Sequence, residues 1–148
     1  MKWKCVTKSA TQTKRFGEAL AKQILKKSAK EALVIGLTGN LGGGKTTFLQ
    51  GFARGLGVQE KVLSPTFVIY KRFRIQAQKF RNFYHFDCYR LNSLKEILAL
   101  GFKEAVKDPE NIIVIEWADR IAEILPQKTI FLKFKFIDKN TREIWVYF

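Results

Sequence analysis

Ala32-Leu33-Val34-Ile35-Gly36-Leu37 is an unbroken apolar run, and just beyond it stands Gly39-Asn40-Leu41-Gly42-Gly43-Gly44-Lys45-Thr46. An apolar run of this length, with no alternation, reads as a strand buried on both faces inside a sheet covered by helices. The glycine-rich stretch fits G-x-x-x-x-G-K-[ST] at every position, the P-loop pattern. The spacing has a chemical reason. Successive backbone N–H groups at a helix N-terminus form a concave anion site. Glycines let the backbone come close to phosphates and adopt positive φ. Lys45 is then placed to neutralise the outer phosphates of a nucleotide, and the Thr46 hydroxyl to ligate Mg2+. A helix is expected over residues 45–56, closed by Gly55 and Gly57. Lys45 is expected to be half-solvated, its stem packed and its ammonium wet.

Working outward, residues 3–6 read as a short edge strand. Ser9 and Gln12 fit a capping box, and Phe16, Leu20 and Ile24 repeat every four residues, an amphipathic first helix. Val62-Leu63 is a second short apolar run before Ser64-Pro65. Residues 67–75 and 80–89 read as two strands of a hairpin around residues 76–79. Ser93 and Glu96 open a short helix stopped at Gly101. Residues 111–117 (NIIVIEW) are a third buried strand, followed by a helix over 118–125 that ends at Pro126. Residues 130–137 and 143–148 make a closing hairpin. The order implies an α/β fold: a single P-loop NTPase domain over residues 1–148, with a mixed parallel and antiparallel central sheet flanked by helices.

Size and composition agree. A chain of 148 residues, 47% apolar, has room for one packed domain. No apolar run approaches the roughly 18 to 20 residues of a membrane span, and residues 1–5 carry charge without an apolar stretch behind it. Two cysteines, Cys5 and Cys88, are too few for a disulfide or metal framework, so free thiols and a cytoplasmic location are expected. Against 13 acidic residues stand 27 Lys+Arg, a formal net charge of +14. Such an excess favours encounter with nucleotides, nucleic acid or an acidic partner, and a lysine-solvated surface would give the same composition.

A P-loop site needs an acidic group for the metal or its waters, usually where a neighbouring apolar strand ends. Glu116 closes the run Ile112-Ile113-Val114-Ile115, and Asp87 follows Phe83-Tyr84-His85-Phe86, so these two are the candidates. The N-K-x-D loop of guanine-specific proteins is absent from the sequence, which favours adenine. His85, the only histidine, sits on an alternating strand and reads as a packed core residue. Lys71, Arg72, Arg74, Lys79 and Arg81 gather around one hairpin, a candidate cationic face for nucleic acid or a partner.

The series Thr7-x-Ser9-x-x-x-Thr13, Gly39 to Phe48, Ser64-Pro65-Thr66-Phe67, His85-x-Asp87-x-Tyr89-Arg90, Glu116-Trp117 and Leu125-Pro126 resembles the TsaE (formerly YjeE) family over essentially the whole chain. That resemblance implies an ATPase that acts in making threonylcarbamoyladenosine in tRNA, binding ATP and Mg2+ and docking on a TsaB–TsaD complex. It implies that Gly39, Asn40, Leu41, Gly42, Gly43, Gly44, Lys45, Thr46 and Thr47 hold nucleotide. Thr46, Asp87 and Glu116 would arrange metal and attacking water, and Thr66 would sense the γ-phosphate. Trp117 would lie close to the nucleotide, and Thr13 near the adenine. Asn40 stands where the family usually has Asp, and the family is generally less basic. Two other readings of the motifs are a small P-loop kinase and a nucleotide-gated binding module with little turnover.

Overall fold

In the computed structural model, which describes residues 2–62 and 69–148, the 32–37 run becomes the middle strand of a seven-stranded sheet. This strand, β2 (Leu33–Gly39), lies between β5 (Asn111–Glu116) and β6 (Ile130–Phe136) and is parallel to both. β4 (Asn82–Asp87) runs parallel to β5, and β3 (Tyr70–Arg74) closes that edge antiparallel. On the other side β7 (Arg142–Tyr147) folds back antiparallel on β6, and β1 (Lys2–Thr7) forms the antiparallel edge. The order is β1-β7-β6-β2-β5-β4-β3, the mixed sheet expected from the sequence.

Burial explains why the apolar runs sit at the centre. All six residues of β5 are buried. Successive side chains of a strand point to opposite faces. Ile112 and Val114 therefore join the core on one side of the sheet, and Ile113 and Ile115 the core on the other. Each fully buried side chain of this size contributes about 1.5 to 3 kcal/mol.

Two helices cover one face. α1 (Ala10–Ile24) starts at Ser9, whose hydroxyl accepts from the Gln12 N–H at 3.1 Å, while the Gln12 side chain accepts from the Lys8 N–H at 2.7 Å. The stripe that α1 buries is Thr13, Gly17, Ala21 and Ile24, and Phe16 and Leu20 pack at its flank. The shift from the expected Phe16-Leu20-Ile24 stripe has a steric cause. α2 (Lys45–Gly55) approaches so closely that a Cβ at Gly51 would collide with the Lys14 carbonyl, and one at Gly17 with the Phe48 carbonyl. Only small residues fit along that line. Gly55 belongs to the same contact, facing Glu18 and Ala21. The stop is made by Gly57 alone, at φ 86°: its N–H bonds the Arg54 carbonyl, and the Val58 N–H bonds the Ala53 carbonyl, both at 3.0 Å.

The other face carries α3 (Leu94–Leu98), α4 (Phe102–Lys107) and a 3-10 turn (Ala118–Ile124). Gly101, expected only as a stop, is the left-handed N-cap of α4, a helix that the sequence pattern does not reveal. Residues 118–124 are a 3-10 turn rather than an α-helix, broken at Ile121 (φ −124°, ψ 24°), and Leu125 is already extended before Pro126. Val62 is buried in the core but belongs to no strand. Leu63 and the start of the first hairpin strand, Phe67 and Val68, lie outside the described residues. No described helix is long and apolar enough to cross a membrane.

Candidate functional site

Because β2, β5 and β4 are parallel, their C-terminal ends share one edge of the sheet, and Leu37, Glu116 and Asp87 stand side by side in register there. This is where α/β sheets bind ligands. The glycine loop leaves β2 at this edge and runs into α2. Gly39 (φ 122°), Gly42 (φ 78°) and Gly44 (φ 97°) take left-handed backbone, and Gly44 caps α2. A Cβ at Gly39 would strike the Phe134 carbonyl of β6, so the loop is tied to the sheet at its start. Gly42, by contrast, has open space around it, and Asn40 and Leu41 are exposed.

Lys45 is buried, at 5% exposure, rather than half-solvated as its stem suggested. Its ammonium folds back to donate to the carbonyls of Gly39 (2.5 Å) and Asn40 (2.9 Å) and lies 4.4 Å from the centre of the Trp117 ring. Burial lowers its pKa, and the negative charges of Glu116, Asp119 and Asp87 oppose that shift. Trp117 reaches the ammonium because its own backbone is left-handed (φ 58°, ψ 43°), the only such non-glycine among the described residues. That conformation costs on the order of 1 kcal/mol. Its ring also packs on Tyr89, with centroids 4.9 Å apart.

The carboxylates face the lysine from the strand ends. Asp87 has its pKa raised, first by burial and also by the neighbouring Glu116, while the Tyr89 N–H that it accepts at 3.0 Å pulls the other way. Glu116 is 3% exposed, and its Oε2 is 2.7 Å from His85 Nε2, in a buried hydrogen bond. His85 Nδ1 has no hydrogen-bond partner among the described residues. The sequence pattern marks His85 as packing alone. It is packed, and it also fixes the orientation of Glu116. Register makes the contact: His85 pairs with Val114, and Glu116 is its diagonal neighbour on the same face.

Two further residues frame the loop. Arg142, which the motifs do not reveal, lays its side chain beside Gly44 and its guanidinium 4.6 Å from the Phe136 ring. Thr13 is buried, with its hydroxyl 2.7 Å from that of Thr7, the register partner of Arg142. Thr13 therefore ties α1 to the corner where Arg142 meets the loop. Thr46 and Thr47 are half-buried in the first turn of α2, and Thr66 lies outside the described residues.

A mixed sheet whose parallel strands end beside this loop, a lysine at the head of the helix and two acids on the adjoining strand ends define a P-loop domain of the nucleotide-binding class. Comparison with known proteins narrows the class. Residues 7–144 match the family described as threonylcarbamoyl adenosine biosynthesis protein TsaE, and the chain belongs to that family. It is 36% identical over 143 residues to the tRNA threonylcarbamoyladenosine biosynthesis protein TsaE of Treponema pallidum, covering 97% of this chain and 98% of the relative. The TsaE protein of Bacillus subtilis is 36% identical over 144 residues, covering 97% and 83% of the two chains. The crystal structure of YdiB from the same organism superposes with a TM-score of 0.78 at 32% identity, covering 99% of this chain and 84% of that one. Membership carries the family role in tRNA threonylcarbamoyladenosine biosynthesis.

Proposed function

We propose that the chain binds ATP with Mg2+ and hydrolyses it as an accessory subunit of a TsaB–TsaD complex in the cytoplasm, supporting threonylcarbamoyl transfer to tRNA. The observation that carries the reading is the placement of Lys45: its ammonium lies between the loop carbonyls and the Trp117 ring, with Glu116, Asp119 and Asp87 contributing opposite charge. A buried ammonium on its own loop carbonyls is a cation awaiting a better acceptor. Phosphate oxygens accept shorter, stronger charge-assisted bonds than neutral carbonyls. Binding would therefore transfer Lys45 from Gly39 and Asn40 to the phosphates, and the N–H groups from Gly42 to Thr47 would close around them.

Asp87, Glu116 and the Thr46 hydroxyl suit Mg2+, which takes oxygen donors and is held by one or two carboxylates plus phosphates. Asp87, with its pKa already raised beside Glu116, is a carboxylate that an added cation would relieve. When bound, Mg2+ supplies charge neutralisation at the γ-phosphoryl. The chain's own part is orientation. His85 holds one oxygen of Glu116, so the other is presented in a fixed direction toward the attacking water. Trp117 packs against the Lys45 ammonium and Tyr89 against Trp117, along one side of the site.

Titration calorimetry with Mg-ATP tests the cradle. Lys45→Met keeps the packed stem and removes the ammonium, and ATP affinity is expected to fall on the order of a hundredfold, the scale of about 3 kcal/mol of charged hydrogen bonds. Unchanged affinity in the folded variant overturns the assignment. Turnover with and without TsaB and TsaD homologues tests the rest: a kinase would phosphorylate an acceptor, and a binding module would show no partner-dependent turnover.

A further inference from the structure

Away from the loop, the sheet face opposite α1 and α2 carries Lys133 and Lys135 on β6, Trp145 and Tyr147 on β7, and Lys2 and Lys4 on β1. Register makes them a block. Trp145 pairs with Lys4 on one side and Lys133 on the other, Tyr147 with Lys2, and Glu143 with Lys135. The four lysines and Tyr147 are exposed, and Trp145 is half-buried. Neither aromatic belongs to either core cluster. The 3-10 turn packs on this face at Gly36, where Ala118 meets the Phe131 ring.

The charges here have little to neutralise them among the described residues. Lys2 and Lys4 stand 5.3 and 5.2 Å from the Trp145 ring, a weak contact at an exposed site. Glu143, the one acid of the block, accepts from Trp145 Nε1 at 2.6 Å and lies 3.7 Å from Lys4. Four cations thus face a single carboxylate already in use. The β3–β4 hairpin, the cationic face expected from the sequence, is built differently. β3 sends Lys71 to the face of Phe73, whose ring its ammonium covers at 5.0 Å, and Arg72 and Arg74 to the opposite face. Arg81 pairs with Glu110 at 3.4 Å.

We propose that the β6–β7–β1 face binds RNA, with the four lysines on phosphates and Trp145 and Tyr147 against bases. Flat rings set among cations suit a polymer that alternates phosphate with planar bases, the combination used by single-strand binding surfaces. An acidic protein would use the lysines and leave the rings idle. This reading is independent of the nucleotide site.

The test uses the full chain with an unmodified tRNA transcript and a single-stranded oligouridylate over a salt series. Reversing Lys4→Glu and Lys133→Glu together is expected to weaken binding on the order of tenfold at about 50 mM salt. The slope of log affinity against log salt should flatten by about 0.7 for each phosphate no longer engaged. Lys4→Gln with Lys133→Gln gives a smaller loss in the same direction, which guards against a misfolded reversal. Trp145→Leu weakens oligouridylate binding about fivefold or more. Lys71→Glu with Arg74→Glu leaves both RNAs bound, and ATP affinity is unchanged throughout. Wild-type binding by the Lys4/Lys133 reversal, or competition by polyglutamate as effective as by RNA, overturns the proposal.

Discussion

β5 buries all six of its side chains, whereas β7 leaves Tyr147 exposed and Arg142, Glu143 and Trp145 half-buried, although both are interior strands of one sheet. The cause is topological. Parallel strands need long crossovers, and these deposit helices on both faces, so β2 and β5 at the middle of the sheet are apolar along most of their length. The antiparallel β6–β7 hairpin returns directly and brings no helix, so both strands keep one bare face and alternate. The same difference locates the chemistry. Parallel strands all end at one edge, which is how Gly39, Glu116 and Asp87 come together. Antiparallel ends alternate between edges and cannot converge in that way. That half offers a surface instead of a cleft.

Core truncations give the comparison its largest expected effect. Ile113→Ala removes a side chain that is 0% exposed and is expected to cost about 2 to 5 kcal/mol in urea unfolding, whereas Tyr147→Ala, at a site 37% exposed, is expected to cost about 0.5 kcal/mol or less. Equal losses would mean that both halves are covered alike, and the contrast would break. Next comes Glu116→Gln, which keeps the shape and the bond to His85 but removes the charge. Partner-dependent ATP turnover is expected to fall about a hundredfold, with ATP affinity changed far less, because the role proposed for Glu116 lies in the transition state. Wild-type turnover would reduce Glu116 to a structural strand end.

How much of this is legible in sequence follows the same divide. Residues 32–37 and 111–116 stand out, since a strand buried on both faces has no alternation to misread. The loop and the acids at the ends of β4 and β5 are legible because their chemistry is local to a motif. The features that escape are long-range. The buried stripe of α1 is set by how closely α2 approaches, so Gly17 outranks Phe16, against hydrophobicity. The bond from His85 to Glu116 depends on β4 and β5 pairing in one register, and Arg142 reaches Gly44 only through the closing hairpin. Trp117 needs a left-handed backbone that its residue type disfavours. Such strain clusters where function over-determines the chain.

The smallest expected effect concerns what the site costs the fold. Asp87 has its pKa raised in the native state, chiefly by burial, with Glu116 adding to the shift. Below the unfolded pKa, near 3.9, both states hold the proton and Asp87 is neutral in the balance. As pH rises from there through the native pKa, the unfolded chain releases its proton first, and the native state loses stability across that window. Above the native pKa the full penalty persists. Asp87→Asn removes a charge without changing shape, so in Mg2+-free buffer it is expected to be more stable than wild type at neutral pH, with the advantage disappearing toward pH about 3. Urea unfolding across a pH series measures the difference, and a pH-independent gap would rule out the carboxylate as its source. Mg-ATP should then reverse the order, because a ligand stabilises the native state in proportion to its affinity and the wild-type carboxylate contributes to that affinity. Stabilisation of both proteins to the same extent by Mg-ATP would remove Asp87 from the nucleotide site. A reversed order would show that the parallel half carries a carboxylate whose burial is unfavourable until ligand arrives.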